Sequence, residues 1–520
     1  MQVPLLQAVT AMSEEEFTRS LQHLQAAEFL YESYLLPELT YTFKHVLTRE
    51  VAYESLSRAR RQTLHTAAGE ALETLYAGRL DEVVDRLAYH YVNAEITEKA
   101  IAYLTRFAEK AARTYAHVEA IQALQEALRQ AERLAGAQQD RCLLELILRQ
   151  ALSLAILGRH QETQGLLLGQ QQRLERLADA LLAGAYYFRL GMTYSALGEQ
   201  AQAAQSAVQA IEAGTRCGDA ATLGKAHYAF SHAEYMRGQP QSGLEHAKRA
   251  VALLEHTEEQ HHLGLAYWLM AMHYLYLGEF AAGLEAAAHA ETIGKAMDDS
   301  RIQSFAAGTM GWLFAMRGDW EPGLAACHRG LIQARDPVVV AAVLAYTGCA
   351  YLEQGDATEA ISHLDRAVQQ LSHLRMRASQ GRFMAFLSEA YRVQGDLDKA
   401  YALALQALLT AEDTQNWYAV GWAHCTLGRI AQVRDALEEA QGCLEAALQT
   451  FTALSARFEI GRTHLDLAVL AQAQGNLAVA ATHLHTAHGL FEALQVPRYS
   501  ERTAQFARAL GVASDVIPTP

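Results

Sequence analysis

Histidine, cysteine and arginine are the residues here whose types could do chemistry, so the first question is whether any of them stand together. The 22 histidines raise metal binding. In "THLHTAH", His485 and His488 are three apart and would share one helix face; His261 and His262 are adjacent and would not. Neither pair is expected to gather the set of cysteine or carboxylate partners a metal needs, so no metal site and no cofactor is expected. Cys142, Cys217, Cys327, Cys349, Cys425 and Cys443 form no CxxC pair and read as reduced, half-buried helix residues. The string closest to a phosphate-binding loop is "GDAATLGKA", Gly218 to Ala226. It has five residues between its glycines, and Ala226 stands where Ser or Thr would hold Mg²⁺. No GxSxG, HExxH or dinucleotide fingerprint occurs, so no catalytic residue is expected in this chain. Arg58, Arg60 and Arg61 could touch DNA, but the formal net charge is −15, and a salt-bridged surface or a protein interface is the stronger expectation. What remains is chemistry of binding. Phe188, Met192, Tyr228, His232, Tyr235, Trp268, Met272 and Trp312 form an aromatic and methionine series whose members recur about 40 residues apart.

That recurrence belongs to the elements that must position it. The chain has 520 residues, 51% of them hydrophobic, with only 8 prolines, which is the composition of helices around a large packed core. No stretch approaches the length of a membrane span, and "MQVPLLQAVTAMSEEEF" has no basic segment of a secretory leader. A cytoplasmic protein is expected. Gly158, Gly198, Gly238, Gly278, Gly318, Gly355, Gly395 and Gly475 fall at steps of 40, 40, 40, 40, 37, 40 and 80, with the missing beat at residue 435. A fixed period of this size predicts a solenoid. Small residues recur seven before and five after each marker, as in Gly311 and Gly323, and Ala recurs twelve after. Two antiparallel helices that cross closely need small side chains at the crossing. The glycine supplies the positive φ that stops the first helix, and a following Asp, as in Gly318-Asp319 or Gly395-Asp396, can start the second.

Units such as "YTGCAYLEQGDATEAISHLDRAV" and "FLSEAYRVQGDLDKAYALALQAL" resemble tetratricopeptide repeats. Their period is longer than usual and the closing proline is missing, so longer helices and a wider superhelix are expected. Helical spacing puts the residues ten and six before each marker on the inner face. That is the aromatic and methionine series, with Tyr235 one turn on; later repeats turn charged, with Arg382, Glu389, Arg392 and Arg429. The expectation is a groove from residue 188 to 312 for an apolar or amphipathic peptide, or a flat small ligand.

Residues 1–80 do not fit the repeat. Ser13 with Glu16 reads as a capping box. "EFLYESYLLPELTYTFKH" then reads as a β-hairpin around Pro37, and helix resumes near His45. This is a winged-helix pattern. "YTFKHVLTREVAYESL" followed by "RRQTLHTAAGEAL" resembles the junction between winged helix and repeat sensor in bacterial signal-transduction ATPases with numerous domains, often fused to adenylate/guanylate cyclase or transcription-factor domains. The resemblance covers the whole chain but only the C-terminal portion of such proteins. It implies an ATPase domain, in cis or in trans, outside this chain, and a nucleotide-sensing role for His45.

The expected fold is therefore all-α: a winged-helix-like head at 1–80, a tetratricopeptide-like solenoid at 81–496, and a capping helix and tail at 497–520. The expected function is a non-catalytic scaffold that senses a ligand or protein partner and acts on a neighbouring switch ATPase to control a cyclase or transcription. Two alternatives stand beside it: a free-standing repeat adaptor, and a DNA-binding regulator working through the head.

Overall fold

The computed structural model describes residues 3–10, 12–35 and 38–516. The chain divides into two compact units, Met1–Leu182 and Ala183–Pro520.

The first unit begins with α1 (Val3–Thr10), α2 (Glu14–Ala26), β1 (Leu30–Leu35), β2 (Glu38–Phe43), α3 (Val46–Glu54) and α4 (Arg58–Leu75). The capping box is present: the Ser13 hydroxyl accepts from the Glu16 backbone N–H at 3.4 Å, and the Glu16 carboxylate accepts from the Ser13 N–H at 3.3 Å. β1 and β2 pair antiparallel, with Leu30 opposite Phe43. Pro37, at the expected turn, lies outside the described residues, as do residues 517–520 of the expected tail. His45 is the exposed N-cap of α3, in extended backbone (φ −127°), and its side chain makes no capping bond. Arg58 pairs with Glu95, and the Arg61 guanidinium lies 5.1 Å from the Tyr53 ring centre. Helices α5 (Val84–Asn93), α6 (Thr97–Arg113), α7 (His117–Ala131), α8 (Gly136–Ile156), α9 (His160–Leu168) and α10 (Gln171–Leu177) follow. Leu72, Leu87 and Tyr91 centre one core here, and Leu104, Leu124 and Leu143 another.

The regular repeat occupies the second unit as helical hairpins: α11 (Ala180–Leu197) with α12 (Gln200–Cys217), α13 (Ala220–Arg237) with α14 (Pro240–Leu254), α15 (Gln260–Leu277) with α16 (Phe280–Ala296), and α17 (Ser300–Arg317) with α18 (Trp320–Gln333). Then come α19 (Pro337–Gln354) with α20 (Ala357–His373), α21 (Arg377–Gln394) with α22 (Leu397–Asp413), α23 (Trp417–Val433) with α24 (Leu437–Ala453), and α25 (Arg457–Ala473) with α26 (Leu477–Ala493). α27 (Pro497–Ala509) and α28 (Ala513–Val516) end the described chain. The fold is an all-α solenoid of tetratricopeptide-like hairpins. The crossing positions are as tight as the sequence demands: a Cβ on Gly311 would lie 2.7 Å from the Gly323 carbonyl oxygen. Asp356 and Asp396 cap the second helices of their hairpins, whereas Asp319 makes no side-chain cap. At the missing beat, Asp435 takes the left-handed conformation (φ 61°) that glycine takes elsewhere. Among the described residues one helix, α19, has the length and composition to cross a membrane, yet 67% of it is buried inside the protein, as a core helix.

The superhelix is tighter than the long helices suggested. The ends of α13 and α15 meet the starts of α23 and α25, first helices five hairpins further on. The Asn416 amide donates to the Met236 carbonyl at 2.9 Å. Tyr276 stacks on Tyr418 with ring centres 4.1 Å apart, and Phe280 meets Phe458 edge-on at 5.1 Å. Three hairpins on, Arg462 pairs with Glu353 at 2.6 Å; four on, Arg498 donates to the Glu353 carbonyl at 2.8 Å. Glycine ends on the first helices let backbones approach, and the inner faces carry rings large enough to fill the axis. The concave surface is a core rather than an open groove over much of its length.

Candidate functional site

A cavity of about 90 Å³ lies on the inner side of the second unit. α11 lends Met192; α13 lends Tyr228, His232, Tyr235 and Met236; α15 lends Leu265 and Trp268. α17 adds Arg301 and Phe305, α19 adds Val338, Ala342 and Tyr346, and α21 adds Ser379 and Phe383. The walls are rigid. Trp268 stacks on Phe305 (4.3 Å, 19°) and donates its indole N–H to the Thr309 hydroxyl at 3.1 Å. Tyr235 meets Trp268 edge-on at 5.6 Å, and its hydroxyl lies 3.3 Å from that of Tyr346. His232 Nδ1 is 3.1 Å from the Ser195 hydroxyl.

Two cations border this space. Arg301 pairs with Asp336 and leans on the Phe305 face at 5.6 Å. Arg382 is wholly buried, lies 4.4 Å from the Tyr235 ring centre, and donates to the Tyr235 carbonyl at 2.8 Å; its Nε and Nη1 have no partner. Burial, then Arg301 and Arg382, lower the His232 pKa to about 4, and burial raises that of Tyr228 to about 12. Both side chains are neutral at pH 7. The cavity therefore offers an apolar, aromatic lining with a few hydroxyl and guanidinium donors. This suits binding an apolar group with a polar end.

Of the eight residues singled out in the sequence, five line this cavity: Met192, Tyr228, His232, Tyr235 and Trp268. The other three lie outside its lining. Met272 is fully buried and accepts a hydrogen bond from the Thr309 hydroxyl through its sulfur at 3.4 Å. Trp312, 1% exposed, packs against Tyr276, Tyr346 and Phe386. Phe188 packs edge-on against His262 at 5.5 Å. Sequence reasoning missed Arg301, Phe305, Tyr346 and Phe383. Their repeats join the cavity through the superhelical closure, which leaves no mark in a single repeat.

The remaining candidates separate. His488 is buried and His485 exposed on α26. His261 pairs with Asp299 at 2.8 Å and His262 with Glu259 at 2.9 Å. A larger cleft of about 450 Å³ in the first unit is lined by charges that pair with one another, Arg106 with Asp81 and Arg149 with Glu109, which leaves it little to offer a ligand.

No family model and no curated protein matches this chain in sequence. Solved structures similar to it include the apo form of the quorum sensor NprR from B. thuringiensis (12% identity, TM-score 0.45, covering 66% of this chain and 97% of that one). A Rap protein complexed with Competence and Sporulation Factor is similar at 13% identity and TM-score 0.43, covering 76% of this chain and 98% of that one. A signal transduction ATPase with numerous domains from Pyrococcus horikoshii, with a tetratricopeptide repeat sensor, is similar at 13% identity and TM-score 0.41, covering 87% of this chain and 60% of that one.

Proposed function

We propose that this chain is a non-catalytic, ligand-sensing scaffold whose recognition element is the aromatic cavity. One observation carries the reading: first helices from six successive hairpins, α11 to α21, contribute to a single small cavity. An occupant there touches repeats far apart in sequence. Filling the cavity favours one superhelical pitch over others, and small changes per repeat add along the array. At about 90 Å³ the cavity admits one apolar side chain of a peptide, or one edge of a flat small molecule, rather than a whole ligand.

The output follows from the head. α3 buries none of its residues, and Val46, Leu47 and Val51 are 62%, 73% and 66% exposed. An apolar helix face of this kind marks a protein contact. It supports the reading of the chain as the sensor arm of a switch ATPase that controls a cyclase or transcription, with a winged-helix-like head and His45 at the nucleotide side. Three buried free thiols, Cys327, Cys349 and Cys425, fit a reducing cytoplasm.

The test is a selection of random displayed heptapeptides on the whole chain. Enriched peptides should carry a Phe, Leu or Trp anchor. They should lose affinity at least about 10-fold on Ala342→Leu, which fills the half-buried cavity wall, because the displaced anchor is worth at least 1.4 kcal/mol. Peptides that bind Ala342→Leu as well as the natural chain would refute the proposal.

A further inference from the structure

A second cavity, of about 430 Å³, lies among α21, α23, α25 and α27, and its lining is of another kind. Four guanidiniums face it: Arg392, Arg429, Arg462 and Arg502. Three are neutralised and fixed. Arg392 pairs with Glu389 at 2.8 Å; Arg429 pairs with Glu389 at 2.9 Å and with Asp466 at 2.7 Å; Arg462 pairs with Glu353 at 2.6 Å and with Glu459 at 3.8 Å. Trp422 supports two of them from behind, 4.7 Å from the Arg462 guanidinium and 6.0 Å from that of Arg429. Arg502 is exposed, and no ion pair is formed by it among the described residues. Of the four, Arg502 is the guanidinium left without a carboxylate partner among the described residues.

The same cavity has an apolar side. Leu465 is buried, while Val433 and Val469 are 60% and 39% exposed beside the arginines. Exposed branched side chains next to fixed guanidiniums serve a ligand that is anionic at one end and apolar at the other. One guanidinium without a carboxylate partner matches a single carboxylate rather than a dianion. Planar guanidiniums match a carboxylate's two oxygens, and the volume is that of an amino acid or a dipeptide.

We propose that this cavity is a binding site for an apolar carboxylate, its anionic end held by Arg502 with Arg392 and its tail against Val433, Leu465 and Val469. The site is separate from the aromatic cavity and does not rest on the function proposed for it. The carboxylate belongs either to a free organic acid or to the C-terminus of a peptide.

Titration calorimetry at constant ionic strength tests the assignment with five probes: hexanoate, N-acetyl-Val-Leu, the amides of both, and sulfate. The expected result is one site for hexanoate, for the acetyl dipeptide, or for both, with no heat from the amides. Hexanoate alone indicates a free acid; the dipeptide alone indicates a chain terminus. Arg502→Glu, which touches no ion pair and should melt with the natural protein, should weaken binding at least 10-fold, and Arg502→Lys should restore most of it. The proposal is overturned if neither carboxylate binds at about 10 mM. It is also overturned if sulfate or the amides bind equally well, or if Arg502→Glu binds as the natural protein does.

Discussion

The closure of the superhelix on its own axis can be tested with two glycines that differ in little else. Gly238 ends α13 and Gly395 ends α21, both at positive φ (65° and 98°). Replacing either with Ala places an L side chain in the left-handed region, at about 1–2 kcal/mol, offset by about 0.4–1 kcal/mol from the stiffer unfolded chain. At Gly395 that is the whole effect, because nothing lies within 4 Å of the added Cβ. At Gly238 the Cβ would fall 2.7 Å from the backbone nitrogen of Tyr418 and 2.8 Å from its Cβ. Backbone cannot rotate away as a side-chain end can, so α23 must move, at about 1–3 kcal/mol for overpacking. The move also loosens the Tyr276–Tyr418 stack and the Asn416 hydrogen bond to Met236, each worth about 1 kcal/mol. Gly238→Ala should therefore cost about 2–5 kcal/mol more than Gly395→Ala. Urea unfolding of the two variants, compared at matched m-values, reads the difference directly. Equal costs would show that α13 and α23 do not touch and would refute the closed axis.

Three further outcomes follow from the same structure. Asp435 stands exposed in a left-handed turn (φ 61°), so Asp435→Gly should stabilise the protein by about 1 kcal/mol in thermal or urea unfolding; no gain would mean that the turn is not strained. Burial, aided by nearby cations, lowers the pKa values of His90, His227, His232 and His464 to about 4 and that of His273 to about 3. The unfolded chain then binds more protons between pH 6.5 and 4, so stability is full above 6.5 and falls as pH drops through that window. Melting temperatures from pH 7.5 to 4.5 should show this, His227→Gln should flatten the fall, and a flat profile would contradict the burial. Burial also raises the Cys327 and Cys425 thiols to about 12 and holds Cys349 well above its usual range. A thiol reagent at pH 8 should label no more than three of the six cysteines until denaturant is added; rapid labelling of all six would contradict the packing.

The hairpin repeat was readable because it is local. Each first helix must end in a left-handed residue, each crossing must be small, and both demands recur in step from Gly158 to Gly475. Even the missing beat is explained, since Asp435 holds the glycine conformation without the glycine. The helix–hairpin–helix order of the head was likewise visible in Ser13, Glu16 and the two aromatic runs. The inner surface was only half readable. Period and helical phase put Tyr228, His232, Tyr235 and Trp268 on one face, where the cavity has them. They could not say that Met272 and Trp312 would be sealed while Phe305 and Phe383 came to the wall. That depends on the superhelical pitch, a sum of small rotations over five hairpins. Arg382 shows the same limit: its charge reads as a surface residue, but the returning chain buries it against Tyr235.

The claim that the aromatic cavity is the sensing element is tested most directly by hydrogen exchange, read by mass spectrometry, on the chain with and without a selected peptide bound. The account predicts slowed exchange in α13, α15, α17 and α21 around Tyr235, Trp268, Phe305 and Phe383, from helices far apart in sequence but joined at one cavity. Protection confined to the second helices α14, α16 and α18, or to a single hairpin, would place the ligand elsewhere and contradict it.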